Sequence, residues 1–191
     1  MKKGLIVGGS IFLLIVIIFM MYRGSYNTAI SLQTKVDQKL GDVGAMYQRR
    51  ADLVPQLVAT VKGAADNEKT ILTQVTNARA GISSAKTPAE MDAAGKEINN
   101  AIRAFNLVVE AYPQVRSTQN FSDLQTQLEG TENRIAIARQ DYNSAVMEYN
   151  SHILGFVNSM FLNKQLFMKR DMFKESAGSE VAPKVDFEKK Q

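Results

Sequence analysis

Hydrophobic positions along this chain follow two patterns that meet near residue 23. The first is one uninterrupted apolar run, Leu5 to Tyr22, reading LIVGGSIFLLIVIIFMMY, with Ser10 its only conventionally polar side chain. At about 1.5 Å rise per residue this run makes a helix of roughly 27 Å, close to the ~30 Å hydrocarbon core of a bilayer. A helix satisfies its own backbone hydrogen bonds, so such a segment can sit in lipid. A cleaved signal peptide shares the basic start, but its apolar stretch usually covers about 7–15 residues and ends at a small-x-small site. Here the run ends in bulky Phe19, Met20, Met21, Tyr22 and Arg23. The pattern therefore predicts a retained single-pass anchor over residues 1–23, with Leu5, Phe12, Leu13, Phe19 and Tyr22 among its lipid-facing groups.

The second pattern is helical and amphipathic, from Asn27 to Leu162. Met91, Ala94, Ile98, Ala101, Phe105, Val108 and Tyr112 step alternately by three and four, a heptad seam. Leu124, Leu128, Thr131, Ile135, Ala138, Tyr142, Ala145 and Tyr149 do the same. Leu32, Val36, Leu40, Val43, Tyr47, Val54, Val58 and Val61 line one side of an earlier helix, and Ile71, Val75, Ala78 and Ile82 line a shorter one. Four such stripes bury against one another, so the expected fold is all-α: a transmembrane helix continuing into an antiparallel four-helix bundle over residues 24–162.

Punctuation divides the helices. Asp66 or Asn67 is placed to cap the second; Thr87-Pro88 with Glu90 starts the third as a capping box; Tyr112-Pro113 bends or ends it; Ser122-Asp123 can start the fourth. Pro55 removes one backbone donor and predicts a kink near Ala51. Small seam residues such as Ala94, Ala101, Ala138 and Ala145 allow close backbone approach, either within one copy or between copies. Residues 163–191 form a C-terminal arm and tail. Its segment Asn163 to Lys174 mixes basic with apolar side chains and suits either a packed arm or an interfacial element attracted to anionic lipid.

Charge changes the picture little. Lys2, Lys3 and Arg23 account for three of 23 basic residues, leaving 20 against 19 acidic ones in the body. The sequence pI of about 9.2 is thus no argument for a nucleic-acid partner, which needs a concentrated basic face. Lys2 and Lys3 before the span tip the positive-inside balance towards a cytoplasmic N-terminus and a body on the outer side. The chain has no cysteine, which excludes disulfides and thiolate metal sites.

Two clusters are too polar for their positions. One holds Arg49, Arg50 and Asp52 just before Pro55; the other holds Glu132, Asn133 and Arg139, then Tyr142, Asn143, Tyr149 and Asn150. Asn143 and Asn150 lie seven apart and share a helix face, as do Glu132 and Arg139. Such groups serve either as an interhelical network that fixes register or as a ligand or partner site. The expectation is that Arg49, Arg50 or Asp52 meets Glu132, Asn133 or Arg139 inside the bundle.

The stretch Tyr47-Gln48-Arg49-Arg50-Ala51-Asp52-Leu53-Val54-Pro55-Gln56-Leu57-Val58 resembles a hallmark of the LemA family. So does Glu132-Asn133-Arg134-Ile135-Ala136-Ile137-Ala138-Arg139-Gln140-Asp141-Tyr142-Asn143, followed by Val146, Tyr149 and Asn150. The ending Ala182-Pro183-Lys184-Val185-Asp186-Phe187 is similar to that family's as well, whereas Asn158-Ser159-Met160 departs from its proline-containing pattern. The resemblance implies a bacterial membrane protein with a helical body and no assigned enzymatic chemistry, with a role in membrane organisation as the reasonable class.

The residue inventory agrees. His152, four after Glu148, is the single histidine, so a di-iron bundle with two Glu-x-x-His motifs cannot be built. No phosphate-cradling Gly-rich loop or Gly-x-Ser-x-Gly elbow is present. The chain is therefore read as a non-enzyme, with no catalytic residues, no metal ligands and no cofactor. Its expected partners are the bilayer of the bacterial inner membrane, further copies of itself and an envelope protein. No small-molecule ligand is specified by the sequence. The leading reading is a self-associating scaffold; the alternatives are a helical binding module for an envelope protein such as a membrane protease, and a ligand-sensing bundle.

Overall fold

The computed structural model describes residues 2–61 and 65–174; the tail from Glu175, with the ending Ala182 to Phe187, lies outside the described residues. All regular structure among the described residues is helical: α1 (Lys2–Thr60), α2 (Ala65–Ser84), α3 (Pro88–Glu110), α4 (Pro113–Arg116), α5 (Gln119–Leu154) and α6 (Phe156–Phe161). α1 runs unbroken through Gly24-Ser25 and through Pro55 for 59 residues, about 88 Å. Its apolar window has mean hydropathy 2.2 and none of it is buried by the rest of the chain. Phe12, Leu13, Phe19 and Tyr22 are all exposed, so this part of α1 is long and apolar enough to cross a membrane.

The helical stripes become the core. Val36, Val43, Tyr47, Val54, Val58 and Val61 of the first stripe are buried, as are Ile71, Val75, Ala78 and Ile82 of the second. Met91, Ala94, Ile98, Ala101 and Phe105 are buried from the third, and Leu128, Thr131, Ile135, Tyr142, Ala145 and Tyr149 from the fourth. The small residues Ala94, Ala101 and Ala145 are thus used within one copy, where they let backbones approach. Gly95 is the tightest case: a Cβ there would lie 2.5 Å from Cε1 of Tyr47.

α1 and α5 are antiparallel along their shared length. His152 meets Ser25, Lys35 meets Glu148 at 2.6 Å, Lys39 meets Asp141 at 3.1 Å, and Arg50 meets Glu132. The α2–α3 hairpin covers only the part of α1 beyond Gly44, which faces Ile82 and Met91 where the hairpin turns. Four helices therefore pack together in the half distal to the anchor. In the proximal half α1 and α5 are joined instead by the chain after α6, which turns at Asn163–Phe167 and returns along them as an arm to Lys174.

Helix starts obey local chemistry with two shifts. Thr87 Oγ1 accepts the Glu90 N–H at 3.3 Å with Pro88 at the first position, and the Glu90 carboxylate accepts from the Lys86 N–H at 2.7 Å, one residue before the usual partner. α5 is capped by Thr118 rather than Ser122, because Thr118 accepts the Phe121 N–H at 3.4 Å and Phe121 is buried against Phe105. α2 begins at Ala65, so Asp66 and Asn67 fall in its first turn; a helix end shifts this far without changing what it packs against.

Candidate functional site

The polar face of α5 between Arg139 and Asn150 holds the arm, and it does so through the arm's backbone. Asn150 donates from Nδ2 to the Arg170 carbonyl and accepts the Arg170 N–H at Oδ1, both at 2.9 Å. Asn143 repeats the arrangement on Phe173, donating at 3.0 Å and accepting at 2.8 Å. Between them the Tyr142 hydroxyl donates to the Asp171 carbonyl at 3.0 Å, and beyond them Arg139 donates to the Lys174 carbonyl at 2.9 Å.

The spacing has a simple origin. Seven helical residues rise about 10.5 Å. Three residues of a chain wound like polyproline II rise about 9.3 Å and bring the same backbone edge round again. Asparagines seven apart on a helix can thus each grip every third residue of an irregular strand. Each carboxamide offers one acceptor and two donors, so it satisfies a backbone N–H and C=O that would otherwise be lost to water.

Side chains fix the register of this strand. Phe173 is buried edge-on to Tyr142, ring centroids 5.1 Å apart, with the Arg139 guanidinium 4.8 Å over its other side. Phe167 is buried edge-on to Tyr26 at 5.3 Å. The Arg170 side chain crosses to Asp37 on α1 at 3.0 Å. The same face carries a groove of about 700 Å³, lined by Glu132, Ile135, Ala136, Arg139 and Asn143 together with Phe173 and Lys174 of the arm.

Burial pushes the Tyr142 and Tyr149 hydroxyls up from the usual tyrosine range, opposed in each case by the Arg170 charge. Tyr149 is fully buried, and its hydroxyl has no hydrogen-bond partner among the described residues. Tyr47 is raised by burial too, against the pull of Arg139, while burial holds Arg50 below the usual guanidinium range.

The first polar cluster is divided among neighbours. Arg50 pairs with Glu132, the arginine side chain 11% exposed and the glutamate 57%, so the contact is open to water on one side. Asp52 pairs with Arg79 of α2, and Arg139 reaches Asp92 of α3 at 3.4 Å. Arg49 and Asn133 are exposed, and Pro55 is half-buried in the bundle wall. These groups link all four long helices without forming one fully buried network.

Sequence reasoning did not pair the asparagines with Arg170 and Phe173. The available signal was two amides on one face of α5 together with two phenylalanines, Phe167 and Phe173, in a segment that mixes basic with apolar side chains. It singled out His152 but not its contacts: Nε2 lies 3.0 Å from the Ser25 carbonyl and Nδ1 lies 3.3 Å from Asn158 Nδ2. The amide can only donate to Nδ1, so Nε2 carries the proton and donates to Ser25.

The profile of the LemA family matches residues 39–187, which takes in both polar clusters and the whole arm. The chain belongs to the LemA family. Among curated proteins it is similar to magnetosome proteins MamQ 1 and MamQ 2 of Paramagnetospirillum magneticum (strain ATCC 700264 / AMB-1), each 27% identical over 154 residues. The match takes in 67% of this chain and 57% of each relative, so the chain spans little more than half of the proteins it matches. Family membership and the unburied apolar part of α1 together describe a membrane-associated helical protein.

Proposed function

We propose that this LemA-family chain is a non-enzymatic, membrane-anchored scaffold whose copies associate side by side and organise membrane or partner proteins at the bacterial inner membrane. The observation that carries the reading is the continuity of α1. One helix holds the unburied apolar segment and also forms a wall of the bundle, so helix stiffness sets the angle of the body to the bilayer. Anchored rods of fixed tilt, confined to two dimensions, meet at high effective concentration, and weak lateral contacts then suffice. The naming of the matched relatives as magnetosome proteins is in keeping with a part in an assembled structure. Lys2 and Lys3 ahead of the span favour a body on the outer side.

The test uses the full chain, which has no native cysteine. Gln38→Cys, at an exposed position on α1, should give disulfide-linked dimers in native membranes, and mild solubilisation should release large regular particles. Strict monomers in several mild detergents, and in nanodiscs at high protein density, would overturn the scaffold.

A second reading, a helical binding module for an envelope protein, is favoured by the asparagine pair. Its contacts read backbone rather than sequence, so the same face suits an extended segment of a partner. A stoichiometric partner that co-purifies with the chain, and is lost when Asn143 and Asn150 are both alanine, would select this reading.

A further inference from the structure

α6 is oriented the wrong way round for a helix in water. Its polar Asn158 turns towards the protein and donates to the His152 carbonyl at 3.0 Å, closing the end of α5. Its apolar residues point outwards: Phe156 is 82% exposed and Met160 71%, with Val157 exposed as well and no residue of the helix buried. Leu154, just before the turn, is also exposed. These large apolar groups, close together at one end of the body, mark a surface that something covers.

Its position identifies the cover. Phe161, at the end of α6, packs edge-on to Tyr22 with ring centroids 6.2 Å apart and shares a shallow hollow with Ile15, Ile18 and Phe19 of the apolar run. The hydrogen bond from His152 to the Ser25 carbonyl holds the end of α5 at the first turn beyond that run. α6 therefore sits at the level where α1 leaves the bilayer, and its outward face is continuous with the lipid-facing surface of the span.

We propose that α6 is a second membrane contact, laid into the headgroup and upper acyl region of the bilayer that holds α1. Interfacial helices bury their apolar side about 5–10 Å into that layer. Ile15 lies about 10 Å along α1 from Tyr22, so the hollow that Phe161 shares with them spans this depth. Tyr22 and Tyr26, tilted against each other with ring centroids 6.1 Å apart on α1, supply the amphipathic rings typical of the boundary; Arg23 directly follows Tyr22 and Lys164 follows α6 by three residues, charges of the sign that headgroup phosphates attract. The contact fixes rotation about the α1 axis, which a single span leaves free.

The chain contains no tryptophan, so Phe156→Trp in the full protein is a lone indole, excited selectively over the tyrosines, at an exposed position. The protein is reconstituted in phosphatidylcholine–phosphatidylglycerol vesicles whose acyl chains carry bromine near the headgroup. Phe19→Trp serves as the in-span reference, and Leu107→Trp, exposed on α3 in the distal half, as the water reference. The expected result is blue-shifted emission, quenched by the brominated lipid nearly as strongly as the in-span reference and reached by iodide several-fold less than the water reference. Met160→Trp should behave alike. Emission and quenching that match Leu107→Trp at both sites would overturn the proposal. So would shielding that appears only as protein density rises and without bromine quenching, which would assign the patch to a second copy.

Discussion

The distal and proximal halves of the soluble body are built from the same two helices by different physics. Beyond Gly44, α1 and α5 are joined by the α2–α3 hairpin, and apolar stripes supply the packing: Ile98, Ala101, Phe105, Val54 and Phe121 belong with the buried stripe residues to one apolar cluster. Nearer the anchor, α1 and α5 have only the arm to complete them. Two phenylalanines fill the seam there, and carboxamides bind the arm's backbone. An amphipathic helix brings satisfied hydrogen bonds and needs a partner only for its apolar side. An irregular strand brings neither, so its partner must provide polar groups at the strand's own repeat. The first arrangement favours stability, the second a docking that can open while the bundle stays folded.

The largest effect should come from the distal side. Phe105→Ala removes a fully buried ring stacked on Phe121 at 6.3 Å and should cost about 3–5 kcal/mol in urea melts of the full chain. Because the transition is carried by the four-helix part, this change should lower the midpoint of the whole body. Next, Asn150→Ala leaves the Arg170 N–H and C=O without their partner, at a cost of about 2–3 kcal/mol. Its signature should be local: faster amide exchange at Arg170 and Phe173 and faster tryptic cleavage after Lys169 and Arg170, with little change in the main melt. A uniform loss across both halves would show the two to be one cooperative unit.

A subtler break lies between α3 and α1. Gly95→Ala gains helix propensity of up to ~1 kcal/mol, yet places a methyl group into the Tyr47 ring. Overpacking of this kind costs about 1–3 kcal/mol, so a net loss near ~1–2 kcal/mol is expected, rescued by Tyr47→Leu. The smallest effect concerns Tyr149. Burial raises its hydroxyl pKa in the folded state, so its contribution is fully present below the unfolded value of ~10 and is lost as pH rises through the raised folded one. Tyr149→Phe removes both this ionisation and an unpartnered hydroxyl; stability at neutral pH should change by less than ~1 kcal/mol, and its fall above pH ~10 should become shallower.

Much of the architecture was legible because helical order is local. The three-four steps of Met91 to Phe105 and of Leu128 to Tyr149 name the faces that are buried, and Thr87-Pro88 starts a helix through contacts within four residues. The apolar run of α1 shows by length and composition alone that it is able to cross a membrane. The same local logic misplaced the start of α5, where Thr118 and Ser122 are equal candidates by residue type and the buried ring of Phe121 decides between them.

What the chain determines unaided is therefore which residues turn inward and where each helix runs. The tertiary structure decides how far the helices overlap, because the length of the α2–α3 hairpin and the close approach at Gly95 set the level at which four helices become two. It also decides the fate of Arg170 to Lys174. That segment has no periodicity of its own, and its backbone groups bond to side chains 20 to 35 residues earlier on a neighbouring helix. A hydrogen bond to a distant carboxamide leaves no mark in the local pattern, which is why Asn143 and Asn150 could be singled out from the sequence while the strand they hold could not.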